Sequence, residues 1–117
     1  SPFLGPVFEG YVASEIIKCQ LNAGKRRELY HFRDQKGLEV DFVVPTGEGT
    51  VALVEAKATR TVRPELARSL DALGTAAGAG RSTSFVVHRG GTAGVEATTL
   101  RPGVKALPLP DLLAALR

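Results

Sequence analysis

Residues 38–59 read LEVDFVVPTGEGTVALVEAKAT, and the rest of the chain is organised around them. Two β-rich runs, 40–44 and 51–56, flank a polar segment that contains Pro45, Gly47 and Gly49. β-Branched residues on either side of turn formers predict a hairpin. Both runs carry charge that a plain hairpin would lack: Glu39 and Asp41 in the first, Glu55 and Lys57 directly after Val51-Ala52-Leu53-Val54 in the second. Successive side chains point to opposite faces of a strand, so Glu55 and Lys57 project the same way, about 6–7 Å apart. If the loop pairs the strands, Asp41 reaches that side too, near Glu55. An Asp and a Glu converging there repel each other unless a cation stands between them. A divalent metal ion with Lys57 beside it meets that need, which makes D-x13-E-x-K the best chemical lead in the chain. The plain alternative is a cross-strand ion cluster on a solvated sheet face, and the apolar flanks of both runs argue against it.

The whole chain sets the frame. Its 117 residues suit a single domain, 1–117, able to bury one core without staples. Aromatics are only 6% of residues, which argues against a stacking platform for single-stranded nucleic acid. A formal charge of +3 is explained as well by a solvated surface as by a polyanionic partner. The lone Cys19 excludes an internal disulfide and argues against a cysteine-built zinc site. No apolar run approaches the ~18 residues of a membrane span and no signal peptide is visible, so the expectation is a cytoplasmic protein without membrane contact. The opening Ser1-Pro2, without Met, reads as the start of a fragment, with Ser1 a tag remnant.

Taken in order, residues 6–21 predict a helix whose apolar stripe holds Val7, Phe8, Tyr11, Val12, Ile16 and Cys19, with Gly24 as its stop. Glu9 lies beside that stripe, and Glu15 with Lys18 forms a surface pair. Lys25-Arg26-Arg27 is a solvated basic turn. Residues 29–33 alternate and predict a strand, and the hairpin follows. Residues 61–73 return to helical spacing through Val62, Leu66, Leu70 and Leu73, ending among Gly74, Gly78 and Gly80. Residues 84–88 predict a buried strand, joined parallel to the third strand through a right-handed crossover. A glycine-rich turn over 89–94, a strand over 95–100, a second short strand or extended segment over 104–107 and a helix over 111–116 complete the chain. The order is α-β-β-β-α-β with a variable end: an α/β protein of α+β type, its helices packed on a central mixed sheet.

With Glu9 on the first helix, Asp41 on the second strand and Glu55-Ala56-Lys57 on the third, the chain resembles the PD-(D/E)xK superfamily, the fold of restriction endonucleases and archaeal Holliday-junction resolvases. More narrowly, VFEGYVASEIIK, LYHFRDQKGLEVDFVV and LVEAKAT resemble the uncharacterised carboxy-terminal domain of bacterial and archaeal AAA-type ATPases. The resemblance spans roughly residues 5–90. It implies an αβββαβ core, with Glu9, Asp41 and Glu55 holding Mg²⁺ or Mn²⁺ and Lys57 positioning or activating the attacking water. Hard carboxylate oxygens suit such an ion, and the lysine charge suits a transition state rich in negative charge. Val40 precedes Asp41 where the superfamily's name has proline, a common variation.

The resemblance also implies DNA as a partner, an upstream ATPase domain in the same chain, and leaves room for a homodimer. Arg33 and Arg60 are the candidate phosphate contacts, weighed against plain surface arginine. His31 and His88 lack metal-ligand spacing and read as strand-edge polar residues. The glycines at 47–49 and 78–80 are turn formers outside any phosphate-binding context. Two functions are therefore expected. One is a metal-dependent nuclease-like domain acting on DNA phosphodiesters. The other is a non-catalytic accessory module that uses the same fold to bind nucleic acid or a protein.

Overall fold

The computed structural model describes residues 2–90 and 98–117. Six strands form one sheet: β1 (Tyr30–Arg33), β2 (Glu39–Gly47), β3 (Thr50–Lys57), β4 (Ser82–His88), β5 (Thr98–Arg101) and β6 (Val104–Pro108), in the order β1-β2-β3-β4-β6-β5. The predicted hairpin is β2 with β3, antiparallel, with Phe42 opposite Val54 and Val44 opposite Ala52. Its turn uses Gly49 at a φ of 72°, a left-handed conformation that glycine adopts without steric cost. β2 runs on past Pro45 because β1 reaches only to Val43, leaving the open edge at which a strand accepts proline. β3, β4 and β6 are mutually parallel, and β5 closes the far edge antiparallel to β6. Residues 104–107 are thus an inner strand. The expected turn over 89–94 and the start of the strand at 95 lie mostly outside the described residues.

Three helices cover the sheet. α1 (Leu4–Asn22) and α3 (Leu109–Ala115) pack on one face, where Phe8, Val12, Ile16 and Leu112 meet Phe42, Val44, Ala52, Val54 and Val87. α2 (Arg68–Ala77) packs on the other, where Leu70 meets Val40, Leu53 and Val86. Each fully buried Leu or Val contributes about 1.5–3 kcal/mol of transfer free energy. α1 stops as predicted: the Gly24 amide donates to Leu21 O and the Lys25 amide to Gln20 O, the paired bonds of a Schellman stop.

Two expectations about helices are corrected. Only the i, i+4 row Phe8, Val12 and Ile16 of the predicted stripe is buried; Val7 and Tyr11 are 65% and 54% exposed. They stand on the flank of that row, where none of the described elements covers them. The second helix starts later than residue 61, because Pro64 holds Arg63 extended and begins a 3-10 turn, Pro64–Ala67, before α2. It then runs through Gly74 to Ala77 on alanine's high helix propensity and ends at Gly78.

Candidate functional site at the open end of the hairpin

The site is built where two strands part. The ladder between β2 and β3 runs from Gly47 opposite Thr50 to Phe42 opposite Val54, and no backbone pair follows. On its other side β2 carries a β-bulge. Tyr30 pairs with Val43 but Phe32 with Val40, so Asp41 and Phe42 together oppose His31. Packing records the kink: Val40 lies in the α2-side core and Phe42 in the α1-side core, although residues two apart in a plain strand share a face. The bulge aims Asp41 at the backbone of β3.

There the two carboxylates take over from the ladder. The Asp41 amide donates to Glu55 Oε1 at 2.9 Å, and the Ala56 amide donates to Asp41 Oδ2 at 2.8 Å. Lys57 Nζ stands 3.8 Å from Glu55 Oε2, at the long end of an ion pair. Glu55 is only 8% exposed. Burial first, and then the charge of Asp41, pushes its carboxyl up from about 4.5 to about 7, against the opposing pull of the Asp41 amide and Lys57. Burial wins, and the shift corresponds to about 3 kcal/mol against ionising Glu55.

Glu9, on α1, is brought into the same field. Its carboxyl is raised by partial burial and then by Asp41, while His31 and Lys57 pull it down. Glu9, Asp41, Glu55 and Lys57 therefore share one electrostatic neighbourhood. They do not form a closed cage. Among the described residues no three His, Cys, Asp or Glu side chains stand as a group able to hold a metal ion. The interlocked donors are two carboxylates, which is the number Mg²⁺ commonly takes from protein while keeping its own waters. The donor chemistry fits that ion, with Glu9 as an outer negative charge.

Of the two candidate phosphate contacts, Arg33 is exposed on β1 and engaged with Glu39 across the β1–β2 pair. Arg60 lies in the loop after β3 and lines a groove with His88 and Arg89. Arg33 is thus tied to the β1–β2 pair and Arg60 to the groove wall. His31 lies on the edge strand, as its sequence context predicts, but it also sits opposite the bulge, stacks tilted on the Phe42 ring with centroids 5.6 Å apart and acts on Glu9. Its alternation with apolar residues gave no sign of this; only the two-against-one register does. His88 ends the central strand β4 rather than an edge, paired in register with Lys57.

A mixed six-stranded sheet with helices on both faces and a charged cluster at the parted ends of a hairpin defines an α+β domain. The chain belongs to the family described as "Domain of unknown function (DUF4143)", whose model matches residues 4–112. No curated protein and no solved structure matches the chain.

Proposed function

We propose that this domain is a Mg²⁺- or Mn²⁺-dependent nuclease-like module of PD-(D/E)xK type, acting on DNA phosphodiesters and carried in the cytoplasm by a longer AAA-type ATPase chain. The supporting observation is the interlocked Asp41–Glu55 pair with Lys57 beside it, in the order that the resemblance implies. Asp41 and Glu55 would hold the ion, with Glu9 adding negative charge from α1. When bound, such an ion lowers the pKa of water and stabilises charge on a phosphate oxygen. In hydrolysis the water oxygen bonds to phosphorus, the bond to one sugar oxygen breaks, and the water proton leaves to solvent while the departing oxygen regains one. Lys57 offers a fixed positive charge to the pentacovalent centre.

A second reading, the accessory module, is favoured by a specific observation. Both carboxylates already serve the fold by satisfying backbone amides of the opposite strands. Plasmid nicking in Mg²⁺ and in Mn²⁺ separates the two, with Glu55→Ala as control. Nicking by the wild type that drops by about two orders of magnitude in the variant supports catalysis. A wild type that cuts neither duplex, single-stranded nor branched DNA in either metal assigns the accessory role. Among the described residues no helix is long and apolar enough to cross a membrane.

A further inference from the structure

A groove of about 640 Å³ lies between α1 and α3, on the flank of α1 opposite Glu9. Its walls are apolar: Leu4, Val7 and Tyr11 from α1, and Leu109, Pro110 and Leu113 from α3. Val7 and Tyr11, one turn apart on α1, form an exposed apolar row, 65% and 54% exposed. A row of this kind on a helix normally packs against another element. Here none of the described elements covers it.

One end of the rim carries positive charge. Arg60 and Arg89 line the groove, and neither forms an ion pair among the described residues. Glu15, at the other end, is already paired with Lys18 at 2.7 Å. His88 adds no charge. Its Nδ1 accepts the Gly90 amide at 3.0 Å and burial lowers its pKa, so the ring is neutral with its proton on Nε2. Arg89 Nη1 makes one long hydrogen bond, to Ala58 O at 3.4 Å, and neither guanidinium meets a carboxylate among the described residues. An apolar floor under two such groups asks for a ligand with an apolar ridge and acidic neighbours.

We propose that this groove docks an amphipathic helix of a partner protein, with apolar anchors against α1 and α3 and acidic residues against Arg60 and Arg89. Helix-in-groove recognition uses this combination of i, i+3, i+4 anchors and flanking charge. A nucleic-acid strand fits less well: phosphates gain nothing from a leucine-lined floor, and of the lining rings only Tyr11 is largely exposed, Phe8 being buried and His88 half-buried. A second copy of this chain would present the same row, whose acidic neighbour Glu15 is spent on Lys18. The proposal is independent of cleavage at Asp41 and Glu55.

The test uses the 117-residue chain and a labelled helix-forming peptide of about four turns, with Leu at the anchor spacing and Glu between. Anisotropy is expected to show micromolar binding, weakened about tenfold or more when Lys replaces Glu in the peptide. Val7→Asp and the double variant Arg60→Glu with Arg89→Glu should each weaken it about as much, with melting temperatures unchanged because these side chains are exposed. Reversing the charge in both protein and peptide should restore binding. Equal binding of the Lys peptide, or no binding at millimolar peptide, overturns the proposal. So does oligothymidylate displacing the peptide at lower concentration, which assigns the groove to nucleic acid. Sedimentation showing self-association that Val7→Asp abolishes assigns it to a second copy.

Discussion

Asp41 and Glu55 each hold the other's strand: the Asp41 amide is bound by Glu55 Oε1, and the Asp41 carboxylate binds the amide of Ala56, next to Glu55. Two like charges are thus fastened together by hydrogen bonds that closure of the hairpin end requires. The same bonds that complete the fold concentrate negative charge at one point. At Glu55, whose burial opposes its ionisation, stability and ion affinity are in opposition, and Glu55→Gln should move them in opposite directions.

Removing Asp41 separates the two causes that raise Glu55. Asp41→Ala deletes the nearer negative charge but leaves Glu55 buried, and burial is the larger cause. The Glu55 carboxyl should therefore titrate below 7 yet stay above 4.5, as followed by carbon NMR. Loss of the acceptor for the Ala56 amide should cost about 1–3 kcal/mol. A Glu55 that titrates at its ordinary value in the variant would show that Asp41, not burial, is the cause.

Glu55 also sets a pH dependence whose sign follows from the direction of its shift. The folded protein holds the proton up to about pH 7, whereas the unfolded chain releases it near 4.5. Between those values the folded state binds more protons, so stability falls as pH rises through that window and the loss is complete above it. Glu55→Gln keeps an acceptor for the Asp41 amide and removes the buried charge. At pH 8 it should be more stable than wild type by about 1–3 kcal/mol, and near pH 4 about equal. Urea unfolding at both pH values measures the difference, and a constant gap would refute the assignment.

A divalent cation should oppose this loss by binding the ionised pair in the folded state alone. Millimolar Mg²⁺ or Mn²⁺ should raise the melting temperature of the wild type at pH 8 and leave Glu55→Gln unmoved. A wild-type midpoint unchanged by either ion would remove the ion from the proposed function.

Much of this was legible in the sequence, and what was not has local causes. The hairpin, the parallel addition of residues 84–88 and the Gly24 stop follow from β-branching, turn glycines and helix-end chemistry, all short-range signals. The D-x13-E-x-K spacing brought Asp41 and Glu55 together correctly, but for an incomplete reason. Plain alternation puts Val40 and Phe42 on one face, whereas the bulge opposite His31 sends them to opposite cores. A bulge depends on register against another strand and leaves no mark in the residues that form it. The exposure of Val7 and Tyr11 was hidden likewise, since apolar periodicity records which residues are apolar and not how wide a helix face the sheet can cover.

Gly90 is a close-contact glycine whose role appears only in three dimensions. A Cβ there would stand 2.2 Å from the carbonyl oxygen of Arg60, a backbone atom that cannot swing away. The loops after β3 and β4 meet at this point, joined by the Arg89 amide to Thr59 O at 3.1 Å. Gly90→Ala should force them apart and cost about 1–3 kcal/mol. Gly10→Ala is the contrasting control, since nothing lies within 4 Å of its added Cβ inside α1. That change should stabilise by about 0.5–1 kcal/mol. Opposite signs in a pair of melting curves are expected; matching signs would mean the loops are not held as described.

Lys57 decides between catalysis and scaffolding. Its ammonium lies 3.8 Å from Glu55 with a side chain 39% exposed, so its ion pair is long and partly screened. Such a pair contributes about 0–1 kcal/mol, and Lys57→Ala should lower stability by no more than that. In a working site the lysine acts chiefly where negative charge builds on the phosphate, so the same change should cut DNA cleavage by about two orders of magnitude or more. Mn²⁺ affinity by calorimetry should hold or rise slightly, because a competing positive charge has gone. Cleavage lost with metal affinity and melting temperature intact assigns Lys57 to the transition state. A variant that cuts as well as wild type, or a destabilisation of several kcal/mol with no cleavage in either protein, would mean that Lys57 belongs to the ion cluster that closes the hairpin end and to nothing beyond it.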